Sequence, residues 1–223
     1  MTGIIFDTES TGLDQPRVIE AAWLKISQPS NLTPETEFLQ RYNPGKPIAL
    51  GALATHHIMD EDLVECPPYT DFRLPDGIEY LVGYNIDYDW KVIGEPQIRR
   101  ICVLALSRVF FPGLDSYSQS AVLYHLARDR ARELLKNAHS AMADVHNCLI
   151  ILQHILLRMQ PEESATWEAI WCRSELARIP TVMTFGKHKG MPIKDVPGDH
   201  KRWLLGQPEL DPYLIKALRG EAP

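Results

Sequence analysis

Cysteine is sparse in this sequence, and its placement is uninformative for pairing. Cys66, Cys102, Cys148 and Cys172 lie scattered along 223 residues and form no C-x-x-C. That spacing argues against a disulfide framework and against a zinc knot, and leads us to expect free thiols in a reducing cytoplasm. Long apolar runs are absent as well. No stretch approaches about 18 uninterrupted apolar residues, so no membrane span is expected. Met1-Thr2-Gly3 leads straight into an apolar segment, without a basic n-region or a small-residue cleavage site, so no secretory signal is expected either. There is no internal repeat and no low-complexity tract. Positive charge is in short supply: the net charge of −6 argues, taken alone, against a nucleic-acid partner.

The charge is uneven, however. Residues 181–223 hold seven Lys/Arg against five acids, a net of +2, which leaves −8 on the first 180 residues. An acidic body is what a carboxylate-rich metal site produces, and an ordinary acidic surface produces it too. With 45% hydrophobic residues, the chain has enough apolar material for one full core and a small appended module.

The pattern along the chain is α/β. Residues 3–6, 18–26 and 37–42 read as strands, joined early by the Asp14-Gln15-Pro16 turn, and could form an antiparallel meander. Residues 50–57 read as a short helix, and 60–76 as short helical pieces and loop. Strands are expected at 80–84 and 98–103, then helices at 104–111, 118–127 and 140–159. The last carries an apolar stripe, Ala141, Val145, Cys148, Leu149 and Leu152, at helical period. Residues 161–178 can form one more helix, and Ile179-Pro180 marks a boundary. Beyond it, β-type residues around Gly186-Lys187-His188-Lys189-Gly190 predict a hairpin, closed by helices around Trp203 and 213–218. The expected division is 1–160 for the body, 161–180 for a helix or linker and 181–223 for the module.

Four local features bear on chemistry. Asp7 and Glu9 end the first strand, and residues two apart in a strand share a face. Two adjacent carboxylates repel and resist desolvation, and a divalent cation compensates well. A solvated strand end is the plainer alternative. Asp144 lies along the apolar stripe of the long helix, where an acid is unusual. It could equally be an acid favoured by the helix N-terminus. His139, five residues earlier, could cap that helix or serve as a base near neutral pH. Asp89 follows the strand at 80–84, with Asp87 as its local competitor.

Order and context make these features specific. Asp7-Thr8-Glu9, then Asn85-Ile86-Asp87-Tyr88-Asp89, then His139-Ser140-Ala141-Met142-Ala143-Asp144 resemble D-x-E, N-x-x-F-D and H-x-A-x-x-D of the DEDD superfamily of 3′–5′ exonucleases. Histidine five residues before the last Asp marks the DEDDh subgroup. Leu53-Ala54-Thr55-His56-His57-Ile58 and the strand leading into Leu104-Ala105-Leu106-Ser107-Arg108 are also similar to that family. The tail, from Thr184-Phe185-Gly186-Lys187-His188-Lys189-Gly190 to Trp203-Leu204-Leu205, is similar to the C-terminal module of exodeoxyribonuclease X-like proteins. Three positions depart from the pattern. Tyr84 stands where many relatives have His, Tyr88 replaces Phe, and Val103 replaces a common Thr.

The resemblance implies a ribonuclease H-like fold, a mixed sheet flanked by helices. It implies that Asp7, Glu9, Asp89 and Asp144 bind two Mg²⁺ ions, with Mn²⁺ as a substitute, and that His139 is the general base. Thr11, Gly12, Leu13, His56 and Asn85 would meet the substrate. The charge asymmetry of the tail, apart from the resemblance, points to Lys187 and Lys189 as phosphate contacts, with a structural hairpin carrying solvated lysines as the equal alternative. Core packing for Leu13 and a helix-fixing role for His56 remain open. The implied partner is a nucleic acid, with DNA 3′ ends ahead of short RNA, and the implied products are 5′-mononucleotides. A non-catalytic binding module would not need the whole carboxylate set.

Overall fold

A computed structural model describes residues 1–136, 138–208 and 210–221. Apolar runs, buried on both faces in the central strands, build a five-stranded sheet of order β3-β2-β1-β4-β5. Its strands are β1 (Gly3–Ser10), β2 (Val18–Ile26), β3 (Thr36–Arg41), β4 (Tyr80–Gly83) and β5 (Arg99–Cys102). The first three form the expected antiparallel meander, whereas β4 and β5 run parallel to β1, so the sheet is mixed. The first strand extends four residues past the apolar run. Asp7 and Glu9 are therefore inside the sheet, paired with Ala22 and Glu20 of β2, and not at a frayed end.

The helices are α1 (Leu50–His56), α2 (Asp87–Val92), α3 (Val103–Phe110), α4 (Gln119–Leu126), α5 (Arg128–Leu134), α6 (Ala141–Leu156), α7 (Pro161–Ser164), α8 (Trp167–Arg178), α9 (Gly198–Leu205) and α10 (Pro212–Arg219). On one face of the sheet, the apolar stripe of α6 packs with α3, α4 and α8 against Ile5, Leu24, Val82 and Ile101. On the other face, Ile4, Phe6, Trp23 and Leu81 are covered by Phe72, Trp90 and neighbouring loop residues. No helix among the described residues is long and apolar enough to cross a membrane. The four cysteines are free thiols.

Two expectations are corrected. The single helix at 161–178 is two, because the Thr166 hydroxyl accepts from Ala169 N–H and starts a new helix. That new helix, α8, is tied closely to the sheet. Trp167 is fully buried against Gly3, where an added Cβ would stand 2.9 Å from the indole, and Ser174 Oγ accepts from Cys102 N–H. The hairpin at 181–194 is not a ladder. It has one isolated bridge, Val182 to Pro192, and two turns of 3₁₀ helix. Pro192 has no N–H to donate, and Gly186 and Gly190 take left-handed φ of 69° and 85°, which turns the chain out of the extended form. Met183, Ile193, Val196, Leu204 and Leu218 bury a small core of the module's own.

Candidate active site

The site is assembled where β1, β2, α2 and the start of α6 meet. Asp7 and Glu9 come from β1 on one strand face. Asp144 comes from the first turn of α6. One oxygen from each of these three carboxylates lies within 4.8 Å of the others. Octahedral ligands about 2.1 Å from a Mg²⁺ ion reach about 4.2 Å from one another across it, so a small closing of the trio would let it hold a single divalent cation. Among the described residues no other group of His, Cys, Asp and Glu meets that spacing.

The fourth acid is held differently. Asp89 Oδ1 accepts from both the N–H (2.9 Å) and the hydroxyl (2.7 Å) of Thr8, the residue between Asp7 and Glu9. Asp89 is buried, and it stands beside the trio without belonging to it.

Electrostatics gives the cluster its character. Burial, then repulsion from Asp89, Asp144 and Glu9, holds the Asp7 carboxyl well above the ordinary range. Burial and the charges of Asp144, Glu20 and Asp89 push Glu9 up to about 9. Burial raises Asp89 to about 7 against the pull of the Thr8 hydrogen bonds. Burial raises Asp144 too, opposed by His139. Such a cluster resists losing its protons unless a cation neutralises it.

His139 sits immediately before α6, exposed, with its N–H donating to Asp144 Oδ2 (3.2 Å). Its φ of 67° is left-handed, a costly conformation for a residue with a Cβ. The backbone is thus bent where the expected base meets the expected metal ligand.

Glu20 is a site residue that the sequence patterns above did not single out. It lies in β2 opposite Glu9, and its side chain is 4% exposed. Oε1 accepts from Ala141 N–H (3.1 Å), the first free amide of α6, and Oε2 pairs with Arg41 Nε (2.9 Å). Ser140, at the cap position, makes no side-chain cap, so Glu20 does that work from another strand. An acid flanked by apolar residues in β2 was the only available signal.

Beside Glu9 opens a cleft of about 580 Å³ lined by Ser10, Gly12, Leu13, Ala52, His56 and Tyr88, among others. Leu13 is 87% exposed at its mouth, which removes the core-packing alternative. Gly12 has φ of 131°, and an added Cβ would meet Ala49 at 2.9 Å, so this glycine is required by packing against the start of α1. Tyr88, the replacement for Phe, uses its hydroxyl locally: Oη lies 2.5 Å from Ser10 Oγ and donates to Gly12 O. His56 Nδ1 accepts from Ile58 N–H (3.0 Å) and so fixes the turn after α1. Burial lowers its imidazole pKa, and its buried Nε2, near the Ser10 backbone, completes no hydrogen bond.

Two expected contacts are placed elsewhere. Thr11 is buried and does not line this cleft; its hydroxyl accepts from Arg17 N–H and closes the β1–β2 turn. Asn85, in a left-handed turn, lines a second cleft between α3, α8 and the C-terminal module. Lys187 and Lys189 are exposed on that module. Among the departures, Tyr84 donates to Tyr117 O and Val103 is fully buried.

No family model matches the chain. It is 28% identical to exodeoxyribonuclease 10 of Escherichia coli K12 over 209 residues, 90% of this chain and 89% of that protein. Solved structures share the fold. Exonuclease X in complex with 5′ overhanging duplex DNA matches with a TM-score of 0.55 at 24% identity, over 75% of this chain and 99% of that one. Escherichia coli exonuclease I in complex with a dT13 oligonucleotide matches at 0.57 and 18%, over 72% and 42%. The nuclease domain of 3′hExo, a DEDDh family member bound to rAMP, matches at 0.54 and 15%, over 70% and 92%. The chain is thus similar over most of its length to exodeoxyribonuclease 10, and it shares the ribonuclease H-like fold of the DEDDh exonucleases.

Proposed function

We propose that this protein is a metal-dependent 3′–5′ exodeoxyribonuclease that releases 5′-mononucleotides. The observation that carries the reading is the convergence of Asp7, Glu9 and Asp144 within 4.8 Å, at carboxyls that burial and mutual repulsion hold in need of a cation. These three, with Asp89 alongside, would hold Mg²⁺, with Mn²⁺ as a substitute. A pair of such ions would supply charge stabilisation to an in-line displacement at phosphorus.

The chain's own residues do the rest. His139 takes the proton from the attacking water, and its backbone link to Asp144 sets its distance from the metal ligands. Thr8 fixes the rotamer of Asp89 by two hydrogen bonds. Gly12, Leu13, His56 and Tyr88 hold the terminal nucleotide in the cleft beside Glu9, whose volume suits a small ligand. Exposed Leu13 rests on the terminal base. The four free thiols support a reducing compartment such as the cytoplasm.

The test is digestion of matched DNA and RNA oligonucleotides, single- and double-stranded, with Mg²⁺. Stepwise shortening of DNA from the 3′ end is expected. Shortening of the RNA alone would move the substrate to RNA ends, and shortening of neither would end the enzymatic reading.

A further inference from the structure

The C-terminal module carries a row of aromatic rings that the carboxylate site does not use. His188 and His200 meet edge to face with ring centroids 4.6 Å apart, and His200 stacks on Trp203 at 5.3 Å and 21°. Trp203 ends the row 57% exposed, while its helix neighbour Leu204 points into the module core. An indole offered to solvent, already stacked on one side, presents a flat face of fixed orientation.

Cations surround the row. Lys187 and Lys189 flank His188 in the turn framed by the left-handed Gly186 and Gly190, and Arg202 precedes Trp203. From 181 to 205 there are five Lys/Arg and two acids on an otherwise acidic chain. Partial desolvation, then the neighbouring His188 and Lys187, lowers the His200 imidazole pKa. Flat aromatic faces interleaved with cations match one kind of ligand: unpaired bases on a polyanionic backbone. A peptide offers no regular series of flat faces, and duplex DNA keeps its bases stacked on one another.

We propose that Trp203, backed by His200 and His188, forms a stacking platform for a base of a single-stranded polynucleotide, with Lys187, Lys189 and Arg202 on its phosphates. The platform deepens the exonuclease reading, since it would hold the strand whose 3′ end lies in the carboxylate cleft. It is nonetheless a binding claim that can be tested without cleavage.

The experiment is equilibrium binding of the full chain, in EDTA, to a fluorescent oligothymidylate longer than the about 4–16 nucleotides one such surface covers. Trp203→Leu should bind about 5- to 100-fold more weakly, the loss of one base stack, with an unchanged salt slope. Trp203→Phe should recover most of the affinity. Lys187→Ala with Lys189→Ala should weaken binding and shrink the salt slope by about 1 per lost contact. Binding to a blunt duplex should not depend on Trp203. Unchanged affinity in Trp203→Leu overturns the platform, and so does an equal loss in Trp203→Phe. Wild-type protein that shows these differences yet shortens no DNA in Mg²⁺ would sink the exonuclease reading and leave the platform standing.

Discussion

Asp87 and Asp89 lie two residues apart on α2 and point from different faces of that helix to different partners. Asp89 turns to Thr8 beside the metal cluster. Asp87 turns to Arg100 and to Arg178, whose side chain is 4% exposed and also donates to the Tyr213 hydroxyl of the C-terminal module. The helix therefore joins the site to the module through one turn of backbone.

Substitutions at the two positions should separate cleanly. Asp89→Asn is expected to abolish turnover and leave the melting temperature near wild type. Asp87→Ala leaves the buried Arg178 guanidinium short of its carboxylate, and should cost about 1–3 kcal/mol, the scale of a lost charged hydrogen bond. Thermal melts beside kcat measurements decide it. Equal loss of turnover at both positions would mean the second motif is misassigned.

Glu20 should matter through α6. Glu20→Ala removes the acceptor for Ala141 N–H and the partner of Arg41, and is expected to destabilise by about 1–3 kcal/mol. It should also lower kcat, because the helix start that places Asp144 loses its anchor. Glu20→Gln keeps an acceptor oxygen and should retain most of the activity. An alanine variant with wild-type kcat would remove Glu20 from the positioning of Asp144.

The metal-free protein should lose stability as pH rises. Glu9 and Asp89 have folded pKa values raised to about 9 and about 7, above their ordinary values of 4.5 and 3.8. For an acid shifted upward, the unfolded chain gives up its proton first. The contribution is full below the unfolded pKa and is lost as pH climbs through the folded one. In EDTA, the melting temperature should fall between pH about 5 and 9, and Glu9→Gln should flatten that slope. Mg²⁺ should restore stability at the alkaline end, by binding the folded state alone. A wild-type slope that Glu9→Gln leaves untouched would contradict the assignment.

His139 gives a test that separates strain from chemistry. His139→Gly relieves a left-handed φ of 67° and is expected to match or exceed wild-type stability. It should still lose on the order of 10²–10⁴-fold in kcat, the usual weight of a general base. Wild-type turnover in the glycine variant would end the assignment.

Much of this architecture was legible because it rests on short-range patterns. β2 runs over Val18–Ile26 as the apolar run implied, and the stripe of α6 is buried as its period required. The Asp7-Thr8-Glu9 pair was readable for the same reason, since strand alternation fixes a shared face. What stayed hidden depends on distant partners. α5 has no apolar stripe and buries Ala131 alone among its side chains. The structural role of Thr11 depends on Arg17, from whose N–H its hydroxyl accepts across the turn. Glu20 looked like one acid in an apolar strand, and its role depends on Ala141, 121 residues away. The hairpin is reduced to one antiparallel bridge because proline and two left-handed glycines outweighed β propensity over a short segment.

The most direct test of the central claim combines metal titration with digestion of a 5′-labelled single-stranded DNA, comparing wild type with Asp7→Asn. Wild type should bind Mn²⁺ by calorimetry and, with Mg²⁺, give a ladder shortening from the 3′ end, abolished by EDTA. Asp7→Asn should lose both metal binding and the ladder, yet melt no lower than wild type in EDTA, because the lost charge was repelled by its neighbours. A folded Asp7→Asn protein that still digests DNA with Mg²⁺ at the wild-type rate would contradict the account.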